Sequence, residues 1–252
     1  MMTLDASYTI ENDYSGNDLG KKAPVVMVYG TTMAGNSVLF HIHGFAPYFY
    51  VPAWDNFSQT DLRVFGESLN RELAESQSGK GMSRHVMKTE VVRKRSLWGY
   101  RFGKVSDFIK VTVAVPPLVA TSRRLLEQGL HMGVLGRREF QTYESNLPYV
   151  LRFMVDKDMA GGSWIEAPKG KYNVRAGSKK TSHVQMELDM AADDLITHET
   201  EGEWAKIAPI RILSFDIECS GRKGFFPEAE KDPVIQIANI VKLYGMWMGA
   251  TE

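Results

Sequence analysis

The alternation of apolar and polar positions predicts more strands than helices along the chain. Residues 25–29 and 37–43 are apolar or alternating runs, and the segment between them is rich in Gly and Thr, which is typical of two strands joined by a turn. A third apolar run over residues 48–51 follows Pro47, and the alternation over residues 108–115 predicts one buried face. Further strands are predicted over residues 150–155, 163–166, 181–188, 211–219 and 234–244.

Helical periodicity is clear in two segments. Ser58 and Asp61 stand in the positions of a helix capping box, which predicts a helix start. The apolar residues that follow at helical spacing are Leu62, Phe65, Leu69 and Leu73. A second helix is predicted over residues 118–128, with Gly129 as its end.

Two carboxylates, Asp216 and Glu218, have a single residue between them inside the apolar strand predicted over residues 211–219. Residues two apart in a strand share a face and lie about 7 Å apart along the chain, so the two side chains point the same way. The opposite face is apolar throughout and is predicted to be core: Leu213, Phe215, Ile217 and Cys219. Two ionised carboxylates this close repel each other, and a bound divalent cation is the best explanation for the pair. The alternative is two solvated acids at the end of a sheet.

Composition narrows the class of protein. The chain has 252 residues, of which 44% are hydrophobic, enough for one large or two ordinary domains with a real core. No apolar run reaches the roughly 18 residues of a membrane span, and the first residues do not resemble a secretory signal, so we expect a cytosolic or nuclear protein without a membrane partner. The single cysteine, Cys219, excludes internal disulfides and cysteine-cluster zinc sites within this chain. A metal here must be held by oxygen or histidine.

Charge is balanced overall, with 30 basic and 30 acidic residues, but it is unevenly distributed. Residues 80–104 are basic and end in aromatic residues, a combination that suits phosphate contacts and base stacking. The candidate nucleic-acid-binding residues in this segment are Arg93, Lys94, Arg95, Trp98 and Arg101. The alternative is a solvated hairpin. Residues 185–203 are acidic, and we interpret them as a solvated face followed by a linker. His41 and His43 are expected to have a structural or solvent-facing role.

The sequence around the two acids resembles a known family. Phe215-Asp-Ile-Glu-Cys219 is followed by Gly221-Arg-Lys-Gly224 and Asp232-Pro-Val-Ile-Gln-Ile237, an order similar to the first exonuclease motif of the family B DNA polymerases. Other segments that resemble this family are residues 41–50, 96–100, 123–129, 143–146, 152–156 and 164–166. A pair of acids alone is weak evidence, but the ordered series covers residues 24–241 and is highly specific.

The resemblance implies an α+β fold in which a β-rich amino-terminal domain over residues 24–200 precedes the first strands of an RNase H-like 3′–5′ exonuclease domain over residues 210–252. Residues 201–209 are expected to form a linker, and residues 1–23 a poorly ordered leader. In this family the paired acids bind two Mg²⁺ ions for phosphodiester hydrolysis. The resemblance therefore assigns Asp216 as the bridging ligand and Glu218 as a ligand of the metal that activates the attacking water.

The resemblance also implies parts that this sequence does not contain. The later exonuclease motifs, the polymerase aspartates and the modules that hold zinc and an iron–sulfur cluster lie outside the chain. Two functions stay open. The first is the amino-terminal fragment of a replicative, DNA-directed DNA polymerase with proofreading. This fragment is expected to be nuclear and to be inactive by itself. The expected partners are template-primer DNA, a single-stranded 3′ end, accessory subunits and a sliding clamp. The second is a non-catalytic nucleic-acid-binding or assembly module that uses the basic segment.

Overall fold

The computed structural model describes residues 1–11, 22–80, 82–97 and 103–244, and this part of the chain is a mostly β structure with three α-helices. The helices are α1 (Gln59–Glu75), α2 (Pro117–Gln128) and α3 (Tyr149–Asp156). The strands are β1 (Met2–Glu11), β2 (Ala23–Thr31), β3 (Ser37–His43), β4 (Tyr48–Pro52), β5 (Val86–Arg95), β6 (Val105–Val113), β7 (Leu130–His131), β8 (Arg137–Arg138), β9 (Trp164–Glu166), β10 (Tyr172–Arg175), β11 (Met186–Ala191), β12 (Ile196–His198), β13 (Arg211–Cys219) and β14 (Val234–Leu243). The predicted α+β class is therefore confirmed.

A seven-stranded sheet forms the larger layer, in the order β10-β11-β3-β2-β1-β9-β12. Its neighbours are antiparallel except for β11 and β3, which run parallel. One face is apolar and packs against α3, with the fully buried Phe153 among the side chains of β2 and β3. The other face carries polar residues at alternate positions of β3 and β11, because a strand sends successive side chains to opposite sides.

Strand β1 corrects the expected leader. Residues 2–11 pair with β2 along their length, from Met2 opposite Thr31 to Glu11 opposite Ala23. The physical reason is that β2 offers an edge with which β1 pairs along its length, while Met2 is buried, Ala6 packs against the core and the rings of Tyr8 and Tyr149 lie 5.2 Å apart. A poorly ordered leader over residues 1–23 is therefore wrong for residues 2–11, and residues 12–21 lie outside the described residues.

A smaller three-stranded sheet, in the order β4-β6-β5, packs one face against α1 and α2. The predicted capping box is present at the start of α1. The backbone N–H of Asp61 donates to the Ser58 hydroxyl at 3.2 Å, and the Ser58 N–H donates to the Asp61 carboxylate at 2.8 Å. Both predicted helices, the paired strands β2 and β3, and strands β4, β6 and β9 are confirmed within a few residues.

The strand predicted over residues 150–155 is wrong, since these residues belong to helix α3. The helix follows Pro148, and its buried residues Tyr149, Arg152 and Phe153 recur at helical rather than strand spacing. A short apolar run does not by itself distinguish the two structures. The strand predicted over residues 181–188 is also shifted, to Met186–Ala191, because the backbone at Thr181 turns to donate a hydrogen bond to a buried carboxylate.

Strands β13 and β14 form a separate two-stranded sheet, paired from Arg211 opposite Leu243 to Cys219 opposite Val234. The face predicted to be core is open to solvent instead: Leu213, Phe215 and Ile217 are 58%, 67% and 49% exposed. A two-stranded sheet is a single layer, and no second layer covers this face within the described residues.

The segment before this hairpin is folded onto the larger sheet. Trp204 stacks on His198 with ring centroids 3.7 Å apart, and the buried Ala208 packs with Met2 and Trp164. The linker over residues 201–209 and the domain boundaries on either side of it stay predictions.

Candidate active site

Asp216 and Glu218 lie in the middle and near the end of β13, opposite Ala238 and Gln236 of β14. Both residues are exposed, and strand geometry places them on one face of the hairpin. One carboxylate oxygen of Asp216 accepts a hydrogen bond from the backbone N–H of Ile217 at 2.9 Å. Neither carboxylate forms an ion pair with any residue that the structure describes. Both acids therefore stay available to a ligand from solvent.

The donor set fits Mg²⁺ in chemistry but not in number. Hard carboxylate oxygens on an exposed face suit a magnesium ion that keeps several of its waters. However, the described residues contain no group of three or more Asp, Glu, His or Cys side chains arranged to hold a metal ion. Asp216 and Glu218 are thus two ligands of a site that these residues leave incomplete.

The loop between β13 and β14 is fixed by a second cluster of charges. Asp232 is 4% exposed, and its carboxylate accepts hydrogen bonds from the backbone N–H groups of Glu228 and Arg222 at 2.8 and 3.2 Å. The Glu228 N–H first, and then the Arg222 side chain, lower the pKa of Asp232. Arg222 also donates to Glu228 at 2.8 Å. These bonds join the two ends of the loop and hold the strand ends next to Glu218.

The predicted basic residues occupy the end of an edge strand. Arg93, Lys94 and Arg95 are the last residues of β5, they are exposed, and they alternate between the two faces of the smaller sheet. The Arg93 guanidinium lies 3.7 Å from the Asp107 carboxylate. Trp98 and Arg101 lie outside the described residues. Positive charge on an edge strand also discourages pairing with another strand, which is a structural reason for this sequence.

A buried charge network lies on the polar face of the larger sheet, where the sequence predicted only a solvated acidic segment. Glu187 is fully buried and accepts hydrogen bonds from the Ser182 hydroxyl at 2.7 Å and from the backbone N–H groups of Ser182 and Thr181. The His41 Nε2 atom lies 3.2 Å from the same carboxylate. Burial opposes the ionisation of Glu187, but these hydrogen bonds outweigh it and lower its pKa to about 2. Glu187 is therefore an internal anion rather than a surface acid.

A second, half-buried pair continues the network. Arg175 donates two hydrogen bonds to the Asp189 carboxylate at 2.7 and 2.6 Å, and His43 Nε2 lies 2.7 Å from it. Burial lowers the pKa of His41, which keeps that imidazole neutral near pH 7. The expected structural role of both histidines is confirmed. The sequence shows that the two histidines lie two apart and share one face of β3. It does not show their acidic partners, which lie 146 residues away in sequence.

Two family models match this chain. "DNA polymerase family B, exonuclease domain" matches residues 140–248, which include both acids of β13, and "DNA polymerase delta catalytic subunit-like, N-terminal domain" matches residues 44–120. Among curated proteins, the DNA polymerase delta catalytic subunit of Arabidopsis thaliana is 48% identical over 224 residues, and that of Mesocricetus auratus is 46% identical over 224 residues. The chain belongs to the delta-type family B DNA polymerases.

The match to this family extends over most of the chain but over a small part of its relatives. The alignments cover 89% and 88% of this chain and 20% of each of those two polymerases, so the chain spans about a fifth of their length. The solved family B DNA polymerase of Pyrobaculum calidifontis matches 96% of this chain and 25% of its own, with a TM-score of 0.61 and 23% identity, which supports the fold. In the described part of the present chain, no helix is long and apolar enough to cross a membrane.

Proposed function

We propose that Asp216 and Glu218 are the first metal ligands of the 3′–5′ exonuclease of a replicative, DNA-directed DNA polymerase. The observation that carries this proposal is the pair of exposed carboxylates on one face of β13, inside the region that matches the exonuclease domain of the family. The alternative, that both residues are solvated surface acids without a ligand, does not explain why both of them lie in a strand that is mostly apolar.

In this proposal Asp216 would hold both Mg²⁺ ions, and Glu218 would hold the ion that activates the attacking water. When two Mg²⁺ ions are bound, they supply charge stabilisation for the attacking and leaving oxygens of phosphodiester hydrolysis. The chain's own contribution is to hold two hard oxygen ligands at fixed spacing along a strand whose end is anchored by Asp232.

The described chain by itself lacks exonuclease activity in this proposal, because two ligands from one strand leave most coordination positions to water and no other group positions the substrate phosphate. The test is an assay of single-stranded DNA digestion by the chain with Mg²⁺. We expect no digestion above that of a preparation carrying Asp216→Ala. A matched control is Glu230→Ala, which removes another exposed acid of the same hairpin. Digestion that is abolished by Asp216→Ala and kept by Glu230→Ala would show that the chain alone is active.

The same test in a longer polymerase addresses the role of the acids. When the matching acid pair is replaced there by alanine, exonuclease activity should be lost while DNA extension is kept. Retained exonuclease activity would remove Asp216 and Glu218 from the site. The partners and location that accompany this proposal are template-primer DNA with a single-stranded 3′ end, accessory subunits, a sliding clamp and the nucleus.

A second candidate function is nucleic-acid binding by the β-rich part alone. Its support is the run of exposed positive charge formed by Arg93, Lys94 and Arg95 at the end of an edge strand. Binding of single-stranded DNA should weaken with rising salt, and reversal of all three charges should reduce both the affinity and the salt dependence. For a matched single change, Arg95→Glu is compared with Arg124→Glu, which reverses the charge of an exposed arginine on α2. Equal effects of these two changes would exclude a specific role for the end of β5.

A further inference from the structure

The two sheets have separate apolar cores. One core lies between the smaller sheet and helices α1 and α2, and the other lies between the larger sheet and α3. A third, smaller cluster links the sheets: Tyr48, Tyr50 and Phe108 of the smaller sheet pack with Phe45, which also packs in the core of the larger sheet. Units that share little apolar surface are expected to move relative to each other unless specific contacts hold them. The junction between the sheets therefore depends on contacts of another kind.

We propose that Tyr48, Arg152 and Asp156 form a polar latch that holds the two sheets in one relative orientation. Tyr48 belongs to β4 of the smaller sheet, while Arg152 and Asp156 lie one helical turn apart on α3, which packs on the larger sheet. The Tyr48 hydroxyl donates to the Asp156 carboxylate, whose two oxygens lie 2.9 and 2.7 Å away. The same hydroxyl accepts a hydrogen bond from Nη1 of Arg152 at 3.3 Å. One oxygen atom of the smaller sheet thus lies between a cation and an anion of α3.

Burial makes these contacts specific. Arg152 is 8% exposed, and its guanidinium also donates to the Glu144 carboxylate and lies 3.6 Å from Asp156. Burial first, and then the hydrogen bond with Asp156, raise the pKa of Tyr48, so its hydroxyl keeps its proton and stays a donor. A shift of β4 would leave buried charges without one of their partners, which costs more in a protein interior than in water. The network therefore favours a single position of β4 against α3.

The ring of Tyr48 is held from both sides of the junction as well. The Lys110 Nζ atom, on β6 of the smaller sheet, lies 4.0 Å from the ring centroid, and the guanidinium carbon of Arg152 lies 4.8 Å from it. Beside the latch, the backbone N–H groups of Tyr50 and Tyr143 donate to each other's carbonyl oxygens at 3.0 and 2.8 Å. The hydroxyl of Tyr48 is thus presented to α3 by a ring and a strand that are themselves fixed.

The latch joins the two regions of the chain that match different family models. Tyr48 lies within residues 44–120, whereas Arg152 and Asp156 lie within residues 140–248, which also contain β13. A fixed junction gives the sheet on which the segment before β13 packs a single position relative to the amino-terminal region. The inference does not depend on metal binding by the acids of β13.

The experiment measures the distance between two spin labels, one on each side of the junction, by pulsed electron paramagnetic resonance. In the full chain with Cys219→Ser, the labels are attached at Ala74→Cys on α1 and Asn173→Cys on β10, two exposed positions. We expect one narrow distance distribution while the latch is intact. Tyr48→Phe, which removes only the hydroxyl, should broaden the distribution and add new distances. The matched control is Tyr50→Phe, which removes a neighbouring hydroxyl that forms no hydrogen bond within the described residues and should leave the distribution unchanged.

Hydrogen exchange measured by NMR gives a second readout. The amides of Tyr50 and Tyr143 should exchange about tenfold or more faster in Tyr48→Phe, because losing a hydrogen bond to a charged group corresponds to at least such a factor. The amides of the buried residues Val26 and Val28 on β2 should keep their rates. Asp156→Ala removes the acceptor of the same hydrogen bond and should have both effects.

Three results would overturn the proposal. The first is a broad distance distribution in the chain with its latch intact. The second is a narrow distribution in Tyr48→Phe, even with faster exchange, since that result describes a local stabilising contact that does not set the orientation. The third is equal broadening by Tyr50→Phe. If Tyr48→Phe loses the circular dichroism of the unchanged protein, Asp156→Ala is judged by the same criteria.

Discussion

Replacing the buried acid Glu187 by glutamine should cost the protein about 3 kcal/mol of unfolding free energy near neutral pH. The substitution keeps the shape of the side chain but removes its charge. The magnitude follows from the pKa of Glu187, which lies at about 2 in the folded protein against an ordinary value of 4.5. This difference corresponds to about 3 kcal/mol of preference for the ionised form in the native environment. Glutamine resembles the protonated acid, so it forfeits that preference.

The pH dependence gives the prediction a second readout. A carboxylate whose pKa is depressed by folding stabilises the protein fully above its unfolded value of 4.5, and that contribution is lost as pH falls from 4.5 towards 2. Between Glu187 and Glu187→Gln, the gap in unfolding free energy should therefore shrink from about 3 kcal/mol near pH 7 to roughly half of that near pH 3. Urea denaturation followed by tryptophan fluorescence measures this gap at each pH.

The control is Glu199→Gln, which removes the charge of an exposed acid in the same acidic segment. Exposed substitutions of this kind change the unfolding free energy by no more than about 0.5 kcal/mol. The reasoning fails if Glu187→Gln is as mild as Glu199→Gln, or if its effect is large but the same at both pH values. The second outcome would mean that shape rather than charge accounts for the loss.

Two further changes test the core and the exposed hairpin. Leu69→Ala truncates a fully buried side chain of α1 and should lower the free energy of unfolding by about 2–5 kcal/mol in urea denaturation. The control, Leu97→Ala, truncates a side chain that is 102% exposed and should lower it by less than about 0.5 kcal/mol. Similar losses for the two variants would contradict the packing of α1. Phe215→Asn replaces a ring that is 67% exposed, so it should leave the unfolding free energy nearly unchanged and lower the binding of a hydrophobic dye; strong destabilisation would show that the ring is covered in solution.

The sequence predicted those features that depend on neighbours along the chain. The capping box at Ser58, the end of α2 at Gly129 and the strand that carries Asp216 all follow from local patterns, and the structure has them. Strand β1 also alternates locally, through Leu4, Ala6, Tyr8 and Ile10, but it was not predicted because the family resemblance begins at residue 24 and implied a leader before it.

Features that depend on distant partners were not predictable in this way. The acid at position 187 is buried because β11 lies parallel to β3, which brings it next to His41. No local pattern distinguishes such an acid from its solvated neighbours, since the deciding hydrogen bonds come from a turn and from a strand far away in sequence. The apolar face of β13 is a second example. Its residues were predicted to be core, but burial depends on what packs against them, and this face is exposed in the structure.

The structure separates the residues that stabilise the fold from those proposed to do chemistry. The buried clusters and the Glu187 network lie in the two sheets that precede β13, whereas Asp216 and Glu218 stand on an exposed hairpin, and the segment just before that hairpin packs on the larger sheet. Removal of either acid should therefore leave the folded part intact, because neither forms a contact on which packing depends within the described residues. A loss of exonuclease activity on their removal from a longer polymerase can then be assigned to lost metal ligands rather than to unfolding.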